Sequence, residues 1–135
     1  MFRLVKILGG RINEGEPQSL PAAAGTRYSF GCALKMQSGT LTHCTATDVP
    51  TMIGGEERPE GAASDMIAYP IDGNMIFAVP VSAAPTALHV GDKVTLHVSD
   101  GEAVGVTATT ASGVATVYDL CGAQAAGDII HVRIL

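Results

Sequence analysis

The chain has 135 residues, enough for one domain of ordinary size and short of two. Hydrophobic residues make up 47% of it but aromatic ones only 4%, so its core must come from Val, Ile, Leu, Met and Ala, and 16 glycines with 7 prolines favour short strands and tight turns over helices. Thirteen acidic against eight basic residues leave a net charge of −5 with no basic cluster, which argues against nucleic acid and anionic membrane surfaces as partners.

In chain order, residues 1–27 stand apart from the rest. Phe2, Leu4, Ile7 and Leu8 form an apolar patch, Gly9-Gly10 interrupts it, Ile12 follows, and Glu14 to Pro21 is polar and punctuated by proline. This segment is expected to be an extended arm with at most one short strand. It is either a loose terminus or an arm packed on a neighbouring molecule, since large apolar residues on a free tail would otherwise face water.

From Tyr28 the pattern is strand and turn. Tyr28–Met36 and Thr40–Thr47 flank a turn at Gln37-Ser38-Gly39, Thr51–Ile53 is a brief extended piece, and 54–64 reads as a polar, solvated loop. Met66–Ile71 and Met75–Val81 flank Asp72-Gly73-Asn74, a hairpin signal. Pro70 and Pro80 cannot donate ladder hydrogen bonds, which places those strands at edges or ends them there.

In Lys93–Ser99, Val94, Leu96 and Val98 alternate with Lys93, Thr95 and His97. Asp100-Gly101 turns the chain into Glu102–Thr110, where Val104 and Val106 continue the alternation; a further strand carries Ala115, Val117 and Tyr118. The last strand, Ile129–Leu135, points Ile130, Val132 and Ile134 one way and His131 and Arg133 the other. Segments 89–98 and 125–134 share a Gly-Asp turn followed by an alternating strand, the same way of starting a strand twice. Only Ser19–Ala24 and 80–89 could hold a helical turn. The expected fold is all-β, a small β-sandwich or open β-barrel of the β-tulip kind, with residues 1–27 as the extended N-terminal arm and residues 28–135 as a single β domain.

Chemistry-bearing motifs are scarce. Cys32, Cys44 and Cys121 are odd in number and widely spaced, unlike a disulfide framework, and fit reduced core residues of a protein made in a reducing cytoplasm. The N-terminus lacks the long apolar stretch of a signal peptide, and the longest apolar run, Met75–Val81, is too short to span a bilayer. His43 and Cys44 are strand neighbours, which point to opposite faces and cannot easily grip one ion. No Cys-x-x-Cys, His-x-His or calcium loop is present, and no Gly-x-Ser-x-Gly elbow, so neither a metal, a cofactor nor catalysis is expected. Glu56, Glu57 and Glu60 cluster with Arg58 in a glycine-bracketed loop, where solvation rather than acid–base work is the expectation. The unusual segment is Met75–Val81, apolar on both faces: it lies at the centre of a sandwich, or a second subunit covers its outer face.

The order of these features resembles small decoration, or cement, proteins of tailed bacteriophages and related prophage-encoded families. The carrying residues are the proline-containing arm, Gly31-Cys32-Ala33-Leu34, Ser38-Gly39-Thr40-Leu41, Val49-Pro50-Thr51-Met52-Ile53, Val90-Gly91-Asp92-Lys93-Val94 and the closing Gly127-Asp128-Ile129-Ile130-His131-Val132-Arg133-Ile134. The resemblance implies a β-rich virion protein on the outer capsid surface, a homotrimer bound to the major capsid protein, stiffening the expanded head against DNA pressure without catalytic residues. The expected contacts are Phe2, Leu4, Ile7, Leu8 and Ile12 of the arm and Ile76, Phe77 and Val79 of the two-faced strand. A tail or baseplate module is the nearest alternative. A carbohydrate-binding adhesin is more distant, because sugar platforms use exposed aromatics and this chain has three Tyr, three Phe and no Trp.

Overall fold

Residues 1–9, 16–62 and 65–134 are described by the computed structural model, and every regular element among them is a β-strand. Twelve strands follow in chain order: β1 (Arg3–Ile7), β2 (Gln18–Pro21), β3 (Ala33–Gln37), β4 (Thr40–His43), β5 (Met52–Gly54), β6 (Asp65–Pro70), β7 (Met75–Pro80), β8 (Lys93–Val94), β9 (Leu96–Ser99), β10 (Glu102–Val106), β11 (Ala115–Asp119) and β12 (Ile129–Ile134). They build two antiparallel sheets. The first has five strands in the order β1-β7-β12-β11-β8; the second has seven, β2-β6-β5-β3-β10-β9, with β4 also paired to β3. The molecule is a β-sandwich rather than a closed barrel.

The main core fills the space between the sheets. Phe77, Val79, Val117, Ile130, Val132 and Ile134 from the first sheet meet Ala33, Ile53, Leu96, Ala103 and Val106 from the second. The alternation in β12 survives intact: Ile130, Val132 and Ile134 are buried, with His131 and Arg133 on the other side. A smaller cluster lies on the opposite face of the second sheet, where Leu34, Leu41, Met52, Met66 and Ala68 pack with Ala22, Tyr28 and Cys32. The Tyr28 hydroxyl secures this layer, donating to the Leu41 carbonyl at 2.8 Å and accepting from Ala23 N–H at 3.1 Å.

Two Gly-Asp turns work alike. Gly91 and Gly127 sit at φ 97° and 89°, which glycine adopts without a Cβ penalty. The next residue closes each turn with its carboxylate: Asp92 accepts from His89 N–H at 2.8 Å, and Asp128 accepts from Ala125 N–H at 3.0 Å. Both turns lead into strands of the first sheet, β8 and β12.

Several expectations need correction. Within residues 1–27, β1 pairs with β7 and β2 pairs with β6, so the described part of this segment is woven into both sheets. Asp72-Gly73-Asn74 does make a turn, with Asn74 N–H bonded to Asp72 Oδ1 at 2.8 Å. It joins β6 of one sheet to β7 of the other, however, and the two strands do not pair. The expected strand Lys93–Ser99 breaks at Thr95 and changes sheets, leaving Val94 and Leu96 buried but Val98 half-exposed. In β10 a bulge between Ala103 and Gly105 shifts the alternation, so Ala103 and Val106 are buried while Val104 is half-buried. Pro70 and Pro80 do end their strands, though β6 and β7 are both interior to their sheets.

The loop at 54–64 is not uniformly solvated. Arg58 is 3% exposed, its guanidinium 5.8 Å from the Tyr28 ring centre and donating to the Ala23 and Ala62 carbonyls at 3.2 and 3.1 Å. Backbone bonds between Tyr28 and Arg58 hold this loop in a small bridge. A buried cation is tolerable there because carbonyl oxygens and an aromatic face replace its water.

Candidate functional site

Of the contact residues expected from sequence, most lie inside the molecule. Phe2, Ile76, Phe77 and Val79 are buried, Leu4 and Ile7 pack partly buried against the core, and Leu8 is half-buried. Ile12 lies outside the described residues. The two-faced apolarity of β7 follows from its place between β1 and β12. Phe77 and Val79 face the core. On the other face Ile76 stands in register between Lys6 and Arg133, and Ala78 between Arg3 and His131. These long polar side chains can roof the apolar strand while keeping their charges wet. Lys6 reaches as far as Tyr118, its Nζ 5.7 Å from the ring centre.

A groove of about 230 Å³ opens where β1 and β7 face β5 and β6, lined by Phe2, Leu4, Phe30, Tyr69, Pro70 and Phe77 among others. Four of the chain's six Phe and Tyr residues therefore meet at this one place. Phe2 and Phe77 form its floor in an edge-to-face pair, 6.2 Å between centroids and 77° between planes. Phe30 and Tyr69 stand at the mouth, 47% and 37% exposed. Tyr69 lies against Gly55, where a Cβ would come within 2.7 Å of its ring. Phe30 N–H is held by Glu57 Oε1 at 3.1 Å.

Sequence reasoning missed Phe30 and Tyr69. One signal was available: β6 alternates buried Met66 and Ala68 with outward Ile67 and Tyr69, so apolar residues occupy the face that should be wet. Edge strand β1 borders the same groove and carries a bulge between Leu4 and Lys6, with a charge beside it, a common protection against uncontrolled strand pairing.

The fold also gathers two groups of potential ligand atoms that are remote in sequence: Cys32, His43 and Glu102, mostly buried, and Asp119, Cys121 and His131, more exposed. His43 and Cys44 do part to opposite sides of β4, with Cys44 in the main core and His43 stacked on Tyr28 at 4.7 Å. Burial raises the thiols of Cys32 and Cys44 to about 12, assisted by the charges of Glu102 and Asp48 respectively. Thiols so protonated make poor nucleophiles.

Two antiparallel sheets, an aromatic groove at their open side and no helix among the described residues define the chain as a small β-sandwich. Its fold is similar to that of the N base of the head fiber protein gp8.5 of bacteriophage phi29, with 12% sequence identity, a TM-score of 0.52, and coverage of 89% of this chain and 93% of that one. No protein-family model matches the chain, and neither does any curated protein.

Proposed function

We propose that this protein is a phage virion component, a non-enzymatic decoration module on the outside of the head. The observation that carries the reading is the fold shared along nearly the whole of both chains with the base of a phage head fiber. The sequence elements that resemble cement proteins support it, as does the acidic charge, which suits a surface remote from packaged DNA. High thiol pKa values and aromatic rather than polar lining in the main groove argue for contact over catalysis.

In this reading the aromatic groove receives an apolar segment of the major capsid protein. Rigid aromatics at the mouth of a desolvated pocket are the side chains that dominate protein contacts. The protein acts as a homotrimer, so that several contacts of about −4 kcal/mol each (millimolar alone) become tight together.

The test is co-sedimentation of the purified protein with expanded and unexpanded shells of its own phage, with oligomer mass measured in parallel. Saturable binding at a fixed ratio to coat protein is expected, stronger on expanded shells. Phe30→Ser and Tyr69→Ser should each weaken it by about 2 kcal/mol, roughly 30-fold in affinity. No binding to either shell would remove the decoration reading, and undiminished binding by both variants would remove the groove from it.

A further inference from the structure

Strands β3, β4 and β10 are neighbours in the second sheet, and their ends bring together Cys32, His43 and Glu102. Cys32 Sγ, a ring nitrogen of His43 and a carboxylate oxygen of Glu102 lie within 4.8 Å of one another. A buried thiol, imidazole and carboxylate converging in this way are not required by packing, because an apolar residue would fill any of the three positions at less desolvation cost. We propose that these three side chains bind one divalent transition metal ion of the zinc class.

The donor set suits that ion. Thiolate and imidazole select zinc-like metals over magnesium or calcium, and a carboxylate completes a mixed S, N, O set. Around a tetrahedral zinc, ligand atoms stand about 3.3–3.6 Å apart. The three ligand atoms already lie within 4.8 Å of one another, so closing the site on an ion takes movements of roughly 1 Å at each ligand.

The outer shell is in place as well. His43 Nε2 lies 2.8 Å from the Arg27 carbonyl, which can only accept, so Nε2 carries the proton. That leaves Nδ1 with a free lone pair, and it is the buried side-chain polar atom with no hydrogen-bond partner among the described residues. A ligating histidine that donates its other N–H to a backbone carbonyl is the usual arrangement at metal sites. Glu102 is oriented in the same manner: Ser29 N–H and Oγ–H each donate to its carboxylate at 2.7 Å. A cleft lined by Thr26, Arg27, His43, Asp100 and Glu102 reaches two of the three ligands from the solvent side.

Binding forms the sulfur–metal bond as the Cys32 thiol proton leaves to water; the neutral imidazole and the carboxylate give lone pairs without proton loss. One proton is therefore released per ion, and affinity rises with pH. The ion would tie the loop before β3 to β4 and β10, a crosslink available without a disulfide.

The experiment is titration of the purified protein with Co2+ and then Zn2+, in a Cys121→Ser background that removes the thiol of the exposed second group. The expected result is one Co2+ per chain with a thiolate-to-cobalt charge-transfer band, displacement of cobalt by zinc, and a zinc-dependent rise in the thermal midpoint. His43→Gln and Glu102→Gln should weaken binding by more than the roughly 10–100-fold that loss of an outer-shell partner costs. Cys32→Ser should abolish the charge-transfer band; should that variant not fold, His43→Gln carries the test, since its side chain borders the cleft. Absence of the band in the Cys121→Ser protein, or unchanged affinity in His43→Gln, overturns the proposal.

Discussion

Single carboxylates close many of the turns, and Asp48 shows how much one can do. Its Oδ2 accepts from Lys35 Nζ at 2.8 Å and from Thr45 N–H and Oγ–H at 2.8 and 2.9 Å. Those bonds, the Lys35 one foremost, hold the acid at about 2 against an ordinary 3.8. A carboxyl depressed on folding stabilises the native state fully above its ordinary value, and that share disappears as pH falls through about 2. Asp48→Asn is expected to cost about 1 kcal/mol or less at neutral pH, because the pair is partly exposed. Thermal midpoints of wild type and variant should converge near pH 2; a gap that persists there would assign the effect to packing instead. The turns at Gly91-Asp92 and Gly127-Asp128 were legible residue by residue, since their carboxylates act on atoms within three or four positions. The placement of Arg58 was not, because its ligands are carbonyls of Ala23 and Ala62 and the ring of Tyr28, and two of those are remote in sequence.

Strands depend on their neighbours, and β1 is the clearest case. Read alone, it is an apolar patch on a terminus; in the fold it is the edge strand beside β7, with Phe2 N–H bonded to the Gly31 carbonyl at 2.8 Å. Phe2 is 2% exposed. Deleting residues 1–8 is therefore expected to destabilise the whole domain, by at least the about 3–5 kcal/mol of a buried Phe truncation, as measured by the urea midpoint. A deletion that left the midpoint unchanged would restore the idea of a detachable arm. Elements that switch sheets were misjudged for a related reason. Asp72-Gly73-Asn74 and Thr95 look like a hairpin turn and a strand interior, because chain reversal and alternation are local, whereas the choice of sheet rests on distant partners such as β12 for β7 and β11 for β8.

At the scale of the molecule, the two sheets come into close contact where Gly105 of β10 meets Pro80 at the end of β7. A Cβ at position 105 would lie 2.6 Å from the Pro80 carbonyl oxygen. The oxygen is backbone and a Cβ is held rigidly by its own backbone, so relief requires the two strands to move apart. Gly105→Ala is expected to lower stability by about 1–3 kcal/mol, read as a lowered denaturation midpoint with the same slope; an unaltered midpoint would show that the sandwich yields at this corner.

The sequence by itself determined the class of fold, the alternation of the closing strand β12 and the Gly-Asp turns, because alternation, turn chemistry and composition act over a few residues. It also carried the unusual apolarity of Met75–Val81, leaving open whether the same chain or another covered it. The tertiary structure alone decided that β7 is interior, that β1 and β2 of residues 1–27 belong to the two sheets, and that Phe30 and Tyr69 share a groove with Phe2 and Phe77. It alone brought Cys32, His43 and Glu102 within reach of one another. Each of these rests on contacts between segments far apart in the chain, where strand order rather than local pattern sets which side chains meet.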